Sequence, residues 1–528
     1  MNSPGRSKLP CAGNSETGEL AHGTIGSVRV TAFGVSNVAP AGAVAGGLVI
    51  VVGYAGFAAP LVVLIALAAS LCCAVSIAEF ARRMPSAGSL YTYNSRGLGR
   101  TGGFLTGWMM VFAYALYLPA GIALTSAYAS QLLASTLHVT VAGWALFVVI
   151  LAAVASVAYL GIGTSSWVDL ALVAGEVAVI AALAISILVK IGPVHYSAAV
   201  LWPASSPDGQ LTDITNAMIY GITAFAGFET AAALGEEARN ARRSIPASTI
   251  GIVLVTGLFY LLVVSAETFG VGRHDILSLT RQHNPLGYLT SRYWSPSALW
   301  VIDLVVVLTG LGFVTAVVNA IIRILFAMGR ERVLPRSLSR LSGRHTPVVA
   351  IGCVAALALA LGLPLTCARG GAATFGYLAG AAGLAVVLVY LAVNLSAIRA
   401  FRTQFRDEFR FWRHLLVPAA AAVFFLFPLW GILHPRGRAL MDLLPFASVG
   451  WLFLGVIAAS VLRARRPASF EALGRVFGPA GDDQPMLEGA ESHQETGGFT
   501  PARVTTFHGG PAGWSQDSGD SDREAETT

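Results

Sequence analysis

The side chains able to do chemistry in this sequence are few, and the most informative of them lies inside an apolar run. Glu229 falls within Phe225-Ala226-Gly227-Phe228-Glu229-Thr230, near the middle of a stretch from about Thr212 to Leu234. Roughly 20 apolar residues suffice to cross a bilayer, and a charge at that depth costs on the order of 2.5 to 3.5 kcal/mol on insertion scales. Two readings follow. Either Glu229 caps or pairs inside a helix bundle, or the helix is interrupted at Ala226-Gly227 and its freed backbone groups face a cavity filled by water or a solute. Glu176 sits near the centre of another span, from about Ser166 to Val189, whose Asp169 lies close enough to one end to reach water or a headgroup. Glu176 must be neutral, paired or turned to a polar cavity. Reversible protonation there is what a proton carrier needs, and a structural hydrogen bond to a neighbouring helix is the other role.

Other polar groups are more ambiguous. Trp108, Tyr114 and Tyr117 share one span, and Tyr114 is the deeper; its hydroxyl requires a partner, either a neighbouring helix, the commoner case, or a substrate. Thr309 and Thr315, with Gly310, Gly312 and Asn319, either line a cavity or form close helix contacts. No HExxH, nucleophile elbow or metal-spaced Cys/His cluster is present, and His138, His195, His274, His283, His345, His414 and His434 fall in loops or near span ends. The sequence therefore argues against an enzyme, a metal site or a bound cofactor. Its five cysteines, Cys11, Cys72, Cys73, Cys353 and Cys367, imply no disulfide framework.

The elements that must position these groups are membrane spans. Of 528 residues 55% are hydrophobic and 12% charged, with a mean hydropathy of +0.67. That charged fraction is about half of what a soluble domain carries, so the chain reads as an all-α polytopic membrane protein. Apolar runs predict about twelve transmembrane helices, beginning near residues 31, 57, 103, 140, 166, 213, 248, 298, 347, 372, 413 and 442. Loops after the even-numbered helices carry the arginines: Arg82, Arg83, Arg96 and Arg100; Arg239, Arg242 and Arg243; Arg330, Arg332, Arg336, Arg340 and Arg344; Arg399, Arg402, Arg406, Arg410 and Arg413. The positive-inside rule puts these loops and both termini in the cytoplasm. The net charge of +6 is thus an orientation signal and not a nucleic-acid footprint. Residues 1–28 form a cytoplasmic N-terminal tail without a signal-peptide core, 29–463 the membrane domain, and 464–528 a disordered cytoplasmic tail rich in Gly, Pro, Ser, Glu and Asp.

The first span, Thr31 to Gly53, crowds Asn37, Pro40, Gly42, Gly46 and Gly47 into its middle. Proline removes a helix hydrogen bond and glycine relaxes the backbone, so a break is expected there, with close packing through small residues as the alternative. A second interruption five spans later, at Phe225 to Glu229, strengthens the break. Two discontinuous helices in corresponding positions point to an inverted-repeat transporter with its site at mid-membrane. Between the second and third helices, the segment around Pro85, Gly88, Tyr91 and Tyr93 predicts a short re-entrant element. After the sixth, Glu236 and Glu237 precede a basic cluster in a solvated linker that closes on Pro246.

Three stretches, MPSAGSLYTYNSRGLG, FAGFETAAALGEEARNARRSIP and NAIIRILFAMGRERVLPRSLSRLSGRHTP, carry a resemblance to the amino acid–polyamine–organocation (APC) superfamily of secondary transporters over about residues 25 to 465. The resemblance implies a LeuT-like five-plus-five inverted repeat, with helices one to five related to six to ten, helices 1 and 6 broken, and two peripheral helices following. It implies that a substrate carboxylate meets amides of the first break around Ala39 to Gly47, giving Ala39, Pro40, Gly42, Ala43 and Gly46 as substrate-binding candidates with Tyr114. The ammonium would meet the sixth-helix break, giving Ala224, Phe225, Ala226, Gly227 and Phe228. Half-helix ends of opposite polarity make that division electrostatically reasonable.

Proton-coupled members often carry a lysine mid-way along the fifth helix, where this chain has VAGEVAV and Glu176. Glu176 is therefore the candidate proton carrier, with Glu229, Thr309 and Thr315 as further coupling candidates. The expected function is a multi-pass permease of the cytoplasmic membrane, a symporter for an amino acid or related amine working by alternating access. A proton is the expected coupling ion, with sodium the alternative; the lipid bilayer is the other partner, and nucleic acid is not. The alternatives are an exchanger, a polyamine or ethanolamine carrier, and a transporter-fold ligand sensor.

Overall fold

The computed structural model describes residues 26–86, 88–161, 166–235, 238–280, 282, 284–330, 333–342, 346–434, 440–465, 467 and 470. The N-terminal tail as far as residue 25, Glu236 and Glu237, the side chain of Asp169 and the C-terminal tail beyond 470 lie outside the described residues. The helices belong to one unit, Met1–Pro479, and the second unit, Ala480–Thr528, falls wholly outside them.

No β-strand occurs among the described residues. In chain order the α-helices are α1 (Ser27–Val38), α2 (Pro40–Gly42), α3 (Val49–Ala55), α4 (Ala59–Arg83), α5 (Ser89–Leu98), α6 (Arg100–Leu137), α7 (Gly143–Leu160), α8 (Ser166–Ile191) and α9 (Leu211–Thr223). They continue with α10 (Thr230–Ala233), α11 (Ala241–Val271), α12 (Ile276–Leu279), α13 (Pro285–Tyr293), α14 (Leu299–Arg330), α15 (Val348–Arg369), α16 (Gly371–Thr403), α17 (Val417–Ile432) and α18 (Leu440–Arg465). A π-helical segment, Ala43–Leu48, joins α2 to α3, and another, Trp412–Leu416, leads into α17.

Ten helical runs among the described residues are long and apolar enough to cross a membrane. The first, Ser27–Arg83, is 57 residues long, and at 1.5 Å per residue it is about 85 Å of helix against a hydrocarbon core of about 30 Å. It is divided at Gly56, whose φ of 56° suits glycine. The first two expected spans thus share one run. The expected sixth span is instead split into α9, with 13 residues, and α10, with 4, each too short to cross alone.

Small residues set how closely the bundle packs. α11 lies along α4, and α6 packs against both α14 and α16. A Cβ on Gly97 of α5 would stand 2.5 Å from the Ser396 backbone of α16, so these two helices touch through bare glycine. Hydrogen bonds reinforce the seam: Ser396 donates to Asn94 at 2.8 Å, and Asn94 donates to Thr106 of α6 at 2.7 Å. The expected re-entrant segment is therefore a helix with buried Leu90, Tyr93 and Asn94. Apolar side chains such as Val149, Leu357, Phe453 and Leu454 remain exposed on α7, α15 and α18, as lipid-facing residues do.

Candidate functional site

The first break falls where the proline and glycines predict it. α1 ends at Val38; Ala39 turns left-handed at φ 50°, its amide still reaching the carbonyls of Ser36 at 3.1 Å and Val35 at 3.3 Å. Pro40 then opens α2 at the first helical position, where it needs no N–H and its fixed φ is already helical. The chain widens into the π-helical Ala43–Leu48 before α3 resumes regular winding. Single left-handed non-glycine residues cost about 1–2 kcal/mol, and π-segments inside helices concentrate at functional sites.

The second break is longer. α9 stops at Thr223, residues 224–229 form successive turns, and α10 begins at Thr230. Gly227 adopts φ 113°, a conformation that a side chain rarely tolerates. A Cβ there would lie 2.6 Å from the Asn37 carbonyl oxygen and 2.9 Å from the Val38 nitrogen. The two interruptions therefore cross backbone against backbone, which only glycine permits.

A cavity of about 100 Å³ opens at this crossing, room for several waters or a small solute. Its walls come from both breaks and from α6, α14 and α16. Val38, Met110, Leu124, Phe313, Val317 and Val386 make most of it apolar, while Asn37, Tyr114, Tyr117, Tyr220, Thr223, Glu229 and Thr230 supply polar groups. A largely apolar pocket with a few convergent polar groups is the usual form of a small-molecule site.

Glu229 stands at the wall of the cavity with only 4% exposure. Its Oε2 accepts from the Gly227 amide at 2.9 Å and from the Tyr390 hydroxyl at 2.7 Å. Pairing and cavity-facing, the two roles open for it in the sequence, are thus combined in one side chain. Glu176 lies apart, on α8. It accepts a hydrogen bond from Thr309 of α14, whose hydroxyl also lies 2.9 Å from the Val305 carbonyl. The Thr309 methyl would be 3.8 Å from a Cβ on Gly42, so this pair abuts the first break. The other Glu176 oxygen is buried without a hydrogen-bond partner among the described residues.

Of the expected substrate residues, Ala39, Gly42, Ala43, Tyr114, Ala224, Ala226 and Gly227 line the cavity. Pro40 is buried at the start of α2, and a Cβ on Gly46 would meet Phe375 at 2.6 Å and Leu124 at 2.7 Å, the mark of a packing position. Phe225 and Phe228 are fully buried behind the wall, edge-on to Tyr260 at 5.2 Å and tilted against Tyr390 at 5.3 Å. Thr315 donates to Leu311 of its own helix at 2.7 Å and does not join Glu176 and Thr309. The Ala224 carbonyl already accepts from Tyr260 at 2.8 Å, and that of Gly227 from the Thr230 hydroxyl at 2.6 Å.

Sequence reasoning passed over several groups. Asn37, noted only as part of the first break, and Tyr117, noted only as a neighbour of Tyr114, line the cavity together with Tyr220 and Thr223, whose local sequence does not separate them from packing residues. Glu267 is different: it is 1% exposed near the end of α11, and both carboxyl oxygens lack a partner among the described residues. As the sole acid of that apolar helix it carried the same signal as Glu176.

An all-helical membrane protein that holds a small-solute cavity between two interrupted spans has the form of a transporter. The chain belongs to the amino acid permease family, whose model matches residues 25–455, and so to the APC superfamily. Among its relatives, a branched-chain amino acid permease of Lactococcus lactis is 25% identical over 72% of this chain and 83% of the relative. A low-affinity putrescine importer of Escherichia coli K12 is 24% identical over 75% of this chain and 85% of its own length. A methylthioribose transporter of Bacillus subtilis is 26% identical over 53% of this chain and 61% of its own.

Proposed function

We propose that this chain is a secondary active transporter of the cytoplasmic membrane, carrying an amino acid with a small apolar side chain by alternating access and coupled to protons. The observation that carries the reading is the crossing of Gly227 with Asn37 and Val38 beside the cavity. Interrupted helices turn the ends of their peptide dipoles toward the cavity at mid-membrane, where they favour a zwitterion that lipid would reject. A carboxylate is assigned to the break following Ala39. An ammonium is assigned to the turns of residues 224–227, where it shares carbonyls with Tyr260 and Thr230 or takes that of Ala226. The apolar wall suits an aliphatic side chain, which agrees with the branched-chain amino acid relative; the putrescine relative keeps an amine without a carboxylate as the alternative substrate.

Twelve spans in a five-plus-five inverted repeat are part of the same proposal. Its support is pairwise packing at matching positions, α4 on α11, α6 on α14 and α7 on α15. Loop arginines support cytoplasmic termini. Glu176 is assigned the coupling proton because its side-chain hydrogen-bond donor, Thr309, adjoins the first break.

Uptake into proteoliposomes tests the proposal, with labelled valine or leucine competed by a panel of amino acids and polyamines at several pH values, with and without sodium. Accumulation driven by an imposed pH gradient and abolished by a protonophore is the expected result. Strict sodium dependence would remove the proton assignment. Binding without counterflow of label would make the protein a sensor and not a carrier.

A further inference from the structure

A second cavity, about 790 Å³ in volume, lies at the arginine-rich end of the bundle. It is enclosed by the last turn of α4, the first turn of α11 and the segment joining α16 to α17. Five guanidiniums line it, those of Arg82, Arg83, Arg242, Arg410 and Arg413, against the three carboxylates of Glu79, Asp407 and Glu408.

Two of the three carboxylates are committed. Glu79, buried in the floor, accepts from Arg83 at 2.9 Å, Arg82 at 3.1 Å and His414 at 3.2 Å, with Arg413 at 3.7 Å. Glu408 pairs with Arg83 at 2.5 Å, and the Arg83 guanidinium lies over Phe401 at 4.5 Å. Neither Arg242 nor Arg410 enters an ion pair among the described residues, and both line the space. Two guanidiniums therefore face an open polar cavity in which Glu79 and Glu408 are already engaged, and Asp407 is left as its single carboxylate without an ion pair among the described residues, so the free groups carry a net positive charge.

We propose that this cavity binds a phosphate-bearing anion through Arg242 and Arg410, and that the anion is the headgroup of an acidic membrane lipid. Guanidinium forks match phosphate oxygens in charge and geometry. The lipid source follows from the neighbours: Phe411 and Trp412, beside the arginines in the same segment, are 56% and 69% exposed, as aromatic residues are at the level of lipid headgroups. Basic pockets at span ends recognise headgroups by this combination.

The test is titration of the purified full-length protein in detergent with phosphatidylglycerol, then with phosphatidylcholine, counting bound lipid by native mass spectrometry. Phosphatidylglycerol affinity should fall about fivefold for each of Arg242→Gln and Arg410→Gln, with phosphatidylcholine unaffected. The Arg242→Lys/Arg410→Lys variant keeps the charge but loses the fork and should bind more tightly than the glutamine variants yet more weakly than wild type, and thermal unfolding identifies any variant that simply fails to fold. Glu408→Gln, which removes a negative charge from the rim, should tighten binding and gives an independent reading if the arginine variants are unstable. Equal affinity in wild type and both glutamine variants would overturn the site. Displacement of the lipid by millimolar glycerol phosphate would overturn the lipid assignment in favour of a soluble anion.

Discussion

The Tyr390 hydroxyl donates to Glu229 at 2.7 Å, onto the oxygen that accepts the Gly227 amide at 2.9 Å. One carboxylate oxygen thereby ties α16 to the break that follows α9. An amide exposed by interrupting a helix needs an acceptor, and so near a cavity water or a solute would otherwise compete for that role. Glu229 supplies the acceptor from two residues away and is itself held by Tyr390.

Tyr390→Phe removes that second donor while keeping the ring packed against Phe228 and Phe425. A hydrogen bond contributes about 0.5–1.5 kcal/mol net, so the variant should melt at lower temperature in detergent and transport more slowly. Fluorescence-monitored unfolding together with initial uptake rates checks this. Wild-type values for both would show that Tyr390 does not hold Glu229 in the functional state.

Gly227→Ala tests the crossing. Its φ of 113° is unfavourable to any side chain, and the added Cβ would meet Asn37 oxygen at 2.6 Å. Strain of about 1–3 kcal/mol at such a backbone position, with the steric push on the first break, should reduce uptake more than tenfold. Membrane insertion should persist, because neither flanking helix is altered. Near-normal transport by correctly inserted protein would mean that the two breaks need not touch during the cycle.

Glu176→Gln probes coupling. The amide keeps the size of the carboxyl and can still accept from Thr309, but it cannot exchange a proton. Uptake driven by a pH gradient should collapse while counterflow of substrate, which needs no net proton movement, survives. A full pH dependence of uptake retained in the variant would transfer the proton role elsewhere, with Glu267 the next carboxyl to examine because both of its oxygens lack partners among the described residues.

The interruptions were legible in the sequence because proline, glycine and acid stand out in an apolar run: Pro40 and Gly227 mark residues the backbone cannot carry through as regular helix. Which neighbours face the cavity was not. Phe225 and Phe228 flank Ala226 and Gly227 in sequence but turn outward into packing against Tyr260 and Tyr390, since direction in a run of turns follows dihedral angles that composition does not encode. The Glu176–Thr309 contact spans 133 positions and depends on how α8 meets α14, so two residues named separately became partners only in three dimensions. Span number was obscured for a related reason. Segments that break or run on through a turn no longer match the one-run, one-span rule that apolar counting assumes.

Thr309 and Thr315 offer the sharpest internal comparison, since both are hydroxylated residues of α14 and looked equivalent in the sequence. Thr309 reaches Glu176 and adjoins Gly42, whereas Thr315 bonds Leu311 one turn back and no other side chain among the described residues. Valine has nearly the same shape as threonine and lacks its hydroxyl, so each replacement removes the hydroxyl with little change in packing; both hydroxyls also reach the carbonyl one turn back, and only Thr309 adds Glu176. Thr309→Val leaves the buried Glu176 without its side-chain donor, a loss of about 1–3 kcal/mol, and should shift the pH dependence of uptake as well as its rate. Thr315→Val removes a bond that competes with the helix's own backbone bonding, and should leave both within about twofold of wild type. Uptake measured across pH for the two variants side by side decides the matter: equal effects, in either direction, would deny Thr309 any special place in coupling.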